Sequence, residues 1–363
     1  KGIDAIFYTH YHGDHVGLFN LVPDNIKQYI GKIAKRVMLC KHKRLSHIPG
    51  NKENAEQEIQ KIELMLPLEP QKAIEVGDIK VTPYFVCHSA YDSYMFLIEA
   101  GGHRVLHTGD FRGHGYLSKG LLPTIEKLIL PQGKIDFLIT EGTMLSRLDE
   151  RVKHENDLKK EVIEIMRQYK NVFVMCSSTD LERLATFYSA NKEIGNRPFI
   201  CDDFQESVLK IFTETAGHKT PLFKFDKVYS FWNGNIKLLN WMQDKGFCML
   251  VRPTNKFLDY YKFIEQNIDK KDTILIYSMW KEYINPNSIH KNKRYFDFVE
   301  NFPLINKIHT SGHASADCLA DVCNLANPTT AIIPIHSEYS ANFKKLPIKK
   351  ELKHKITTES KIF

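Results

Sequence analysis

Thiolate pairs are missing from this sequence. Its seven cysteines, Cys40, Cys87, Cys176, Cys201, Cys248, Cys318 and Cys323, stand singly, and the nearest two are not spaced as C-x-x-C. That scatter excludes a disulfide framework and fits a reduced, cytoplasmic protein with buried thiols. Long apolar runs are missing too: no stretch of about 18 uncharged apolar residues occurs, so no membrane span is expected. There is no internal repeat and no Pro/Gly/Ser-rich linker, which argues against a solenoid or tethered modules. No signal peptide is expected, because the chain opens KGIDAIFYTH with a strand already under way. The first residue is Lys rather than Met, so the chain is expected to have lost its start. What is present is ordinary for a globular protein: 43% hydrophobic and 26% charged residues, which excludes disorder and collagen-like repeats. The net charge of +7 fits a polyanionic partner and fits many other enzymes equally well.

At 363 residues the chain can bury a sizeable core and form two domains. Residues 3–9 are a short apolar, β-branched run that ends at the first histidine, which predicts a strand. Residues 51–67 place Ile59, Ile62, Met65 and Leu66 at helical spacing, with Pro67 as the stop. From 79 to 108 the pattern is of strands around a Gly101-Gly102 turn, and 135–140 is a further strand. After about residue 150 the rhythm changes. Apolar runs at 171–176, 197–201, 246–252 and 273–278 alternate with helical stretches at 180–194, 204–216 and 256–267. That alternation predicts a parallel α/β sheet. A helix over 314–325 and a strand ending at His336 follow, and the Lys-rich residues 344–355 read as solvated surface. The expected organisation is a first domain over 1–150, an inserted α/β domain over 151–303, and a return segment over 304–363.

The decisive text is Thr9-His10-Tyr11-His12-Gly13-Asp14-His15. Three imidazoles and a carboxylate lie within six residues, straight after an apolar strand. Such donors suit Zn2+ and its first-row neighbours. In a tight loop His10 and His12 can point to one side while Asp14 and His15 turn towards a second point. An ion needs at least four partners, so more ligands must come from elsewhere. Three candidates stand at the ends of apolar runs: His88, Asp110 and His336. Strand ends meet at one sheet edge, and Asp110 has two oxygens to offer two cations. His42, His47, His103, His107, His114, His154, His218, His290 and His354 have no such context and are assigned no ligand role.

His10-x-His12-x-Asp14-His15, His88 and Thr108-Gly109-Asp110 resemble the metal motifs of the metallo-β-lactamase superfamily. The resemblance implies an αββα sandwich and two divalent cations, Zn2+ with Mn2+ as the alternative. It also implies the ligand division: His10, His12 and His88 on one ion, Asp14, His15 and His336 on the other, and Asp110 bridging. Asp14 is thereby both ligand and catalytic carboxylate, and a hydroxide shared by the two ions is the nucleophile of a hydrolase. His336 comes 226 positions after Asp110, with the whole α/β block between. A domain inserted within the ligand series points to a long substrate in a cleft.

The residues flanking that insertion resemble the β-CASP group of nucleases, RNase J most of all. Glu141 in LITEGTM matches the group's first acidic motif, His313 in HTSGHAS its second, and His336 in PIHSEYS its third. The likeness runs from residue 3 to about 345. Members acting on RNA carry histidine at the third motif, whereas Artemis-like DNA nucleases carry an apolar residue, so the implied substrate is single-stranded RNA. The chain departs from the family in lacking the strands before the first histidine loop and the RNase J-type C-terminal domain. It also has Ser337 where RNase J has Gly. Cleavage needs a proton for the leaving 3′ oxygen, and a histidine held by a carboxylate can supply it; His313 with Glu141 is the candidate pair. The alternatives are that His313 caps the helix after Gly312 and that Glu141 orients a ligand histidine. Lys210, Lys219, Lys224 and Arg252 are candidates for phosphate contacts, and Tyr229, Phe231 and Trp232 for base stacking. Against an RNA-cleaving phosphodiesterase stand a small-molecule metallohydrolase with a large lid, a DNA-acting β-CASP nuclease, and a non-catalytic RNA-binding scaffold.

Overall fold

The computed structural model describes residues 2–232 and 234–357. They form two compact units, one of Lys1–Val152 with Ser311–Phe363 and one of Lys153–Thr310. The first begins with three short parallel strands, β1 (Ala5–Phe7), β2 (Lys27–Gly31) and β3 (Leu66–Leu68). A second sheet starts with β4 (Ile74–Val76), β5 (Ile79–Val86), β6 (Ser93–Ala100) and β7 (His103–His107), all antiparallel neighbours. The β6–β7 hairpin turns on Gly101 and Gly102, with φ of +55° and +79°, values that only glycine adopts without cost. Strand β8 (Phe137–Glu141) then pairs with β7 in parallel.

Alternation along β6 builds two layers of core. Tyr94 and Phe96 face the first sheet and pack with Tyr29 and Leu68, and Phe7 stacks on Tyr29 at 4.7 Å. Met95 and Leu97 point the other way, with Leu106 and Leu138, towards Ile125, Ile129, Leu319 and Val322 of the covering helices. On the outside of the first sheet the helix Lys32–Ser46 lies against β2 and β3. The order of layers is therefore helix, sheet, sheet, helix.

Helices also arise where the sequence pattern predicts none, among them Lys32–Ser46, Glu155–Gln168, Ile236–Lys245 and Lys293–Val299. Pro67 also plays a different part from the expected one. The helix Lys52–Leu64 ends as Met65 turns extended, and Pro67 lies inside β3. That strand is at the sheet's edge, where a missing N–H costs no ladder bond.

The second unit is a six-stranded, all-parallel sheet. Its strands are β9 (Asn171–Cys176), β10 (Phe199–Cys201), β11 (Val228–Ser230), β12 (Phe247–Val251), β13 (Thr273–Ser278) and β14 (Ile305–Lys307), in the order β11-β10-β12-β9-β13-β14. Every residue of β9, β12 and β13 is buried, as expected of strands covered on both faces. Phe173 at the centre meets Phe247, Tyr261 and Phe302 edge-on, with ring centroids 5.0–5.5 Å apart. Helices Leu181–Ile194 and Asp203–Thr215 start on Asp180 and Asp202, whose carboxylates accept the N–H of Arg183 and Gln205. Strand β14 pairs with β13, so residues 304–310 stay with this sheet and the first unit resumes at Ser311, seven positions later than the pattern suggested.

The returning chain forms the helix Ala316–Ala326 and strand β15 (Ala331–Ile335), which pairs with β8 in parallel from Ala331–Phe137 to Ile335–Glu141. Beyond it the lysines are solvated, yet Phe343, Leu346 and Leu352 are buried in the core between them. The hydroxyl of Ser315 accepts the N–H of Cys318 at the start of the helix. Ser315→Ala should therefore cost about 1 kcal/mol, read as a lower urea midpoint with unchanged slope. No helix among the described residues is long and apolar enough to cross a membrane.

Candidate metal centre

The loop after β1 carries four of the candidate ligands, and the folded sheets hold it from three sides. Tyr8 N–H donates to Tyr29 O, Tyr94 N–H donates to Thr9 O at 2.9 Å, and the Tyr11 hydroxyl accepts the N–H of Tyr91. His88 follows β5, Asp110 follows β7, and His336 follows β15. All these strand ends lie at one edge of the second sheet. Gly109 has φ +58°, and a Cβ there would come within 2.9 Å of Tyr94 O, so the turn that aims Asp110 requires glycine.

Among the described residues, four triads of donor atoms are close enough to share an ion. They are His10–His12–His88, His10–His15–Asp110, Asp14–His15–His336 and Asp110–His313–His336. All seven residues expected from the sequence as ligands are there, with His313 beside them. Asp110 is the hub: its Oδ2 lies 3.1 Å from His15 Nε2, 3.7 Å from His336 Nε2 and 4.0 Å from His10 Nε2. His336 Nε2 is 3.0 Å from Asp14 Oδ2, and His88 Nε2 is 3.2 Å from His12 Nδ1.

The donor set fits divalent cations on two observations. First, among the described residues His10 Nε2, His15 Nε2 and Asp110 Oδ1 are buried and meet no partner in good hydrogen-bond geometry, with Asp110 Oδ2 3.1 Å from His15 Nε2. Three such atoms converging at one point are costly unless something else satisfies them. Second, the far nitrogens of the rings are held. His88 Nδ1 meets the Gly312 carbonyl at 2.8 Å, His10 Nδ1 the Thr9 hydroxyl at 3.0 Å, and His336 Nδ1 the Thr143 hydroxyl at 2.8 Å. Fixing one nitrogen aims the lone pair of the other inward.

Electrostatics follows burial. Burial pushes the His12 imidazole down to about 4 and takes His10 and His88 well below the usual histidine range. Burial would raise Asp14 and Asp110 as well, but neighbouring imidazoles outweigh it. The hydrogen bond from His336 holds Asp14 below the usual carboxylate range, and His15, His313, His10 and His336 do the same for Asp110. His15 and His313 run the other way: burial lowers His15 too, and the Asp110 carboxylate more than compensates. Burial lowers His313 likewise, and the Glu141 carboxylate more than compensates, so its net shift is also upward.

His313 Nδ1 lies 3.0 Å from Glu141 Oε2, while Glu141 Oε1 accepts the N–H of Phe111 at 2.8 Å and of Ala314 at 3.3 Å. Glu141 is fully buried at the end of β8. The cap of the following helix is Ser315 rather than His313. His114 belongs to no triad; its Nε2 meets the Ser311 carbonyl at 2.7 Å, tying the Asp110 loop to the segment that carries His313. Sequence reasoning overlooked Thr143; His107, assigned no ligand role there and in none of the triads, accepts the Gly109 N–H through Nδ1. With His15, Asp110 and His336, His107 borders a cavity of about 360 Å³ whose apolar wall includes Phe7, Val81, Phe96 and Ile98.

The other candidates separate. Arg252 is paired with the buried Asp202 carboxylate and lies over the rings of Phe204 and Phe257. Phe231 is in the core, whereas Trp232 is exposed and Tyr229 packs edge-on against Trp241.

Known protein families match two parts of this chain. Residues 1–171 match the β-lactamase superfamily domain, and residues 303–357 match the Zn-dependent metallo-hydrolase RNA specificity domain. The chain is 24% identical over 277 residues to the endoribonuclease YSH1 of Mycosarcoma maydis, covering 69% of this chain and 30% of that protein; it thus spans under a third of that relative's length. A crystal structure of a protein of unknown function from Enterococcus faecalis V583 shares the fold, with a TM-score of 0.69 at 20% identity over 93% of this chain and 76% of the other. The chain belongs to the metallo-β-lactamase superfamily of metallohydrolases, in its β-CASP group.

Proposed function

We propose that this chain is a phosphodiesterase that cleaves single-stranded RNA with two divalent cations, Zn2+ or alternatively Mn2+. The observation that carries the proposal is the convergence of unpartnered, buried ligand atoms on His10, His15 and Asp110 beside the His313–Glu141 pair. His10, His12 and His88 would hold one ion, Asp14, His15 and His336 the other, with Asp110 common to both. When bound, such ions supply positive charge at the phosphoryl group and lower the pKa of a water to near 7.

The chain's own residues supply the rest. Burial keeps His10, His12 and His88 neutral at neutral pH, so their lone pairs are free for a cation without first losing a proton. Glu141 favours the protonated form of His313 and orients the ring, and the nitrogen that Glu141 does not occupy offers the proton for the leaving 3′ oxygen. The RNA assignment draws on the match of residues 303–357 to an RNA specificity domain, on the endoribonuclease relative, and on histidine at position 336.

The test is cleavage of a 5′-labelled single-stranded RNA beside DNA of the same sequence, with Zn2+ or Mn2+ added. Metal-dependent loss of RNA alone is the expected result. Protein that carries two metals per chain and cuts neither strand overturns the proposal. A cavity of about 360 Å³ with an apolar wall is of small-molecule size and favours a second reading, a lactone or thioester hydrolase. Turnover of such esters with RNA left intact would establish it. His313→Ala should slow RNA cleavage by at least about a hundredfold while metal content stays at the wild-type level; normal turnover in that variant excludes His313 as the acid.

A further inference from the structure

One side chain touches both halves of this arrangement and is neither a ligand nor an acid. Thr143 begins the short turn after β8, two residues beyond Glu141. Its Oγ1 lies 2.8 Å from His336 Nδ1, 3.1 Å from His313 Nδ1 and 3.3 Å from the His336 carbonyl oxygen. The two rings it touches are stacked, with centroids 5.5 Å apart and planes 24° from parallel. His336 has φ +51°, a left-handed backbone that costs on the order of 1–3 kcal/mol for a residue with a Cβ. Such a conformation persists only when its surroundings hold it.

Proton counting assigns the bonds. A hydroxyl has one hydrogen and two lone pairs. Without a cation His336 Nε2 donates to Asp14 Oδ2 at 3.0 Å, with Asp110 Oδ2 at 3.7 Å; a cation at this point would need the Nε2 lone pair, and the ring hydrogen would then sit on Nδ1 and point at Thr143. His313 Nδ1 likewise carries a hydrogen, shared between Glu141 Oε2 and Thr143. Both lone pairs of Thr143 are then used, and its own hydrogen is left for the His336 carbonyl. With a cation at His336 Nε2, every group is satisfied in this one pattern.

We propose that Thr143 is a positioning residue: it fixes His336 in the Nδ1–H tautomer that presents Nε2 to a cation, and holds His313 in register with it. The part concerning His313 rests on the ribonuclease reading above; the part concerning His336 stands on metal binding alone. Thr143 thereby keeps the ring that would bind the second ion at a constant distance from the ring that would deliver the proton. A partner of this kind contributes roughly 10–100-fold in metal affinity or activity.

The test uses the full chain as wild type, Thr143→Val, which keeps the shape and removes the hydroxyl, and Thr143→Ser, which restores it. Zn2+ affinity is measured by competition with a chromophoric chelator. We expect Thr143→Val to weaken one of the two ions about 10–100-fold and leave the other unchanged, with Thr143→Ser returning to within about threefold of wild type. In RNA cleavage kcat should fall and KM hold. Wild-type affinity for both ions in Thr143→Val, or a Thr143→Ser protein as impaired as Thr143→Val, overturns the proposal. Should Thr143→Val fail to fold, 15N spectra of zinc-loaded wild type decide: a proton on Nδ1 of His336 supports it, and one on Nε2 sinks it. A wild type that binds two ions with this Thr143 dependence but cuts no RNA would defeat the ribonuclease reading and leave the His336 assignment standing.

Discussion

Asp110→Ala protein should retain its fold, lose most of its bound metal, and cleave RNA more slowly by on the order of 10³-fold or more. The carboxylate is 2% exposed and has four imidazoles within 4.0 Å: those of His15, His336, His313 and His10. Taking it away leaves two would-be cations with no common anion, and leaves ring nitrogens facing one another across a small gap. Asp110→Asn separates charge from shape, because it keeps the volume and one carbonyl oxygen. If the anion is what matters, Asn should be nearly as damaging as Ala. Metal analysis and the labelled-RNA assay, run on the same preparations, check this directly. An Asp110→Ala enzyme with two metals and normal turnover would remove Asp110 from the centre altogether.

Glu155→Ala should lower the stability of the second unit by about 3–5 kcal/mol. Glu155 and Arg183 are 0% and 2% exposed at the side chain, with 2.9 Å between Oε1 and Nη2. Arg183 also donates to Ser278 Oγ at 2.7 Å and to the Thr310 carbonyl at 3.2 Å, and Thr186 donates to Glu155 Oε2. The pair thus pins the end of β13 and the exit from the sheet to the helix Leu181–Ile194. Without Glu155 the buried guanidinium keeps Ser278 and the Thr310 carbonyl but loses its counter-charge, and that uncompensated burial, rather than the lost attraction, sets the size of the effect. Replacing both partners by apolar residues, as in Glu155→Leu with Arg183→Met, should recover much of the loss. Urea unfolding of the single and double variants checks this; a single variant within about 1 kcal/mol of wild type would show that water reaches the site.

Much of this molecule was open to inspection in its sequence, and the reason is local. The loop 9–15 packs four donors into one turn, so their chemistry needs no tertiary knowledge. Buried parallel strands such as 171–176 and 273–278 declare themselves by uninterrupted apolar text, and Asp180 announces its helix as a capping residue. What escaped is what depends on distant partners. The helix Lys32–Ser46 starts on Gly31, which has no side chain to cap it. Its free N–H groups at Ile33 and Ala34 donate instead to the Asp92 carboxylate, 59 and 58 positions away. No window of local sequence contains that bond. Thr143 escaped for the same reason: a threonine in a turn is unremarkable until the chain brings back two histidines 170 and 193 positions later. The placement of residues 304–310 with the second sheet turns on the pairing of β14 with β13, which three residues of text do not advertise.

The course of the chain through its two units bears on the order in which the protein is made. Strand β8 ends at Glu141 and its neighbour β15 begins at Ala331, 190 positions later. At ribosomal rates of about 5–20 residues per second, roughly 10–40 seconds separate their synthesis. During that interval the continuous stretch Lys153–Thr310 can fold by itself, while one edge of β8 waits with unpaired backbone groups. Such an edge invites the wrong partner, and nascent chains stalled between 311 and 330 should be the stage most in need of a chaperone.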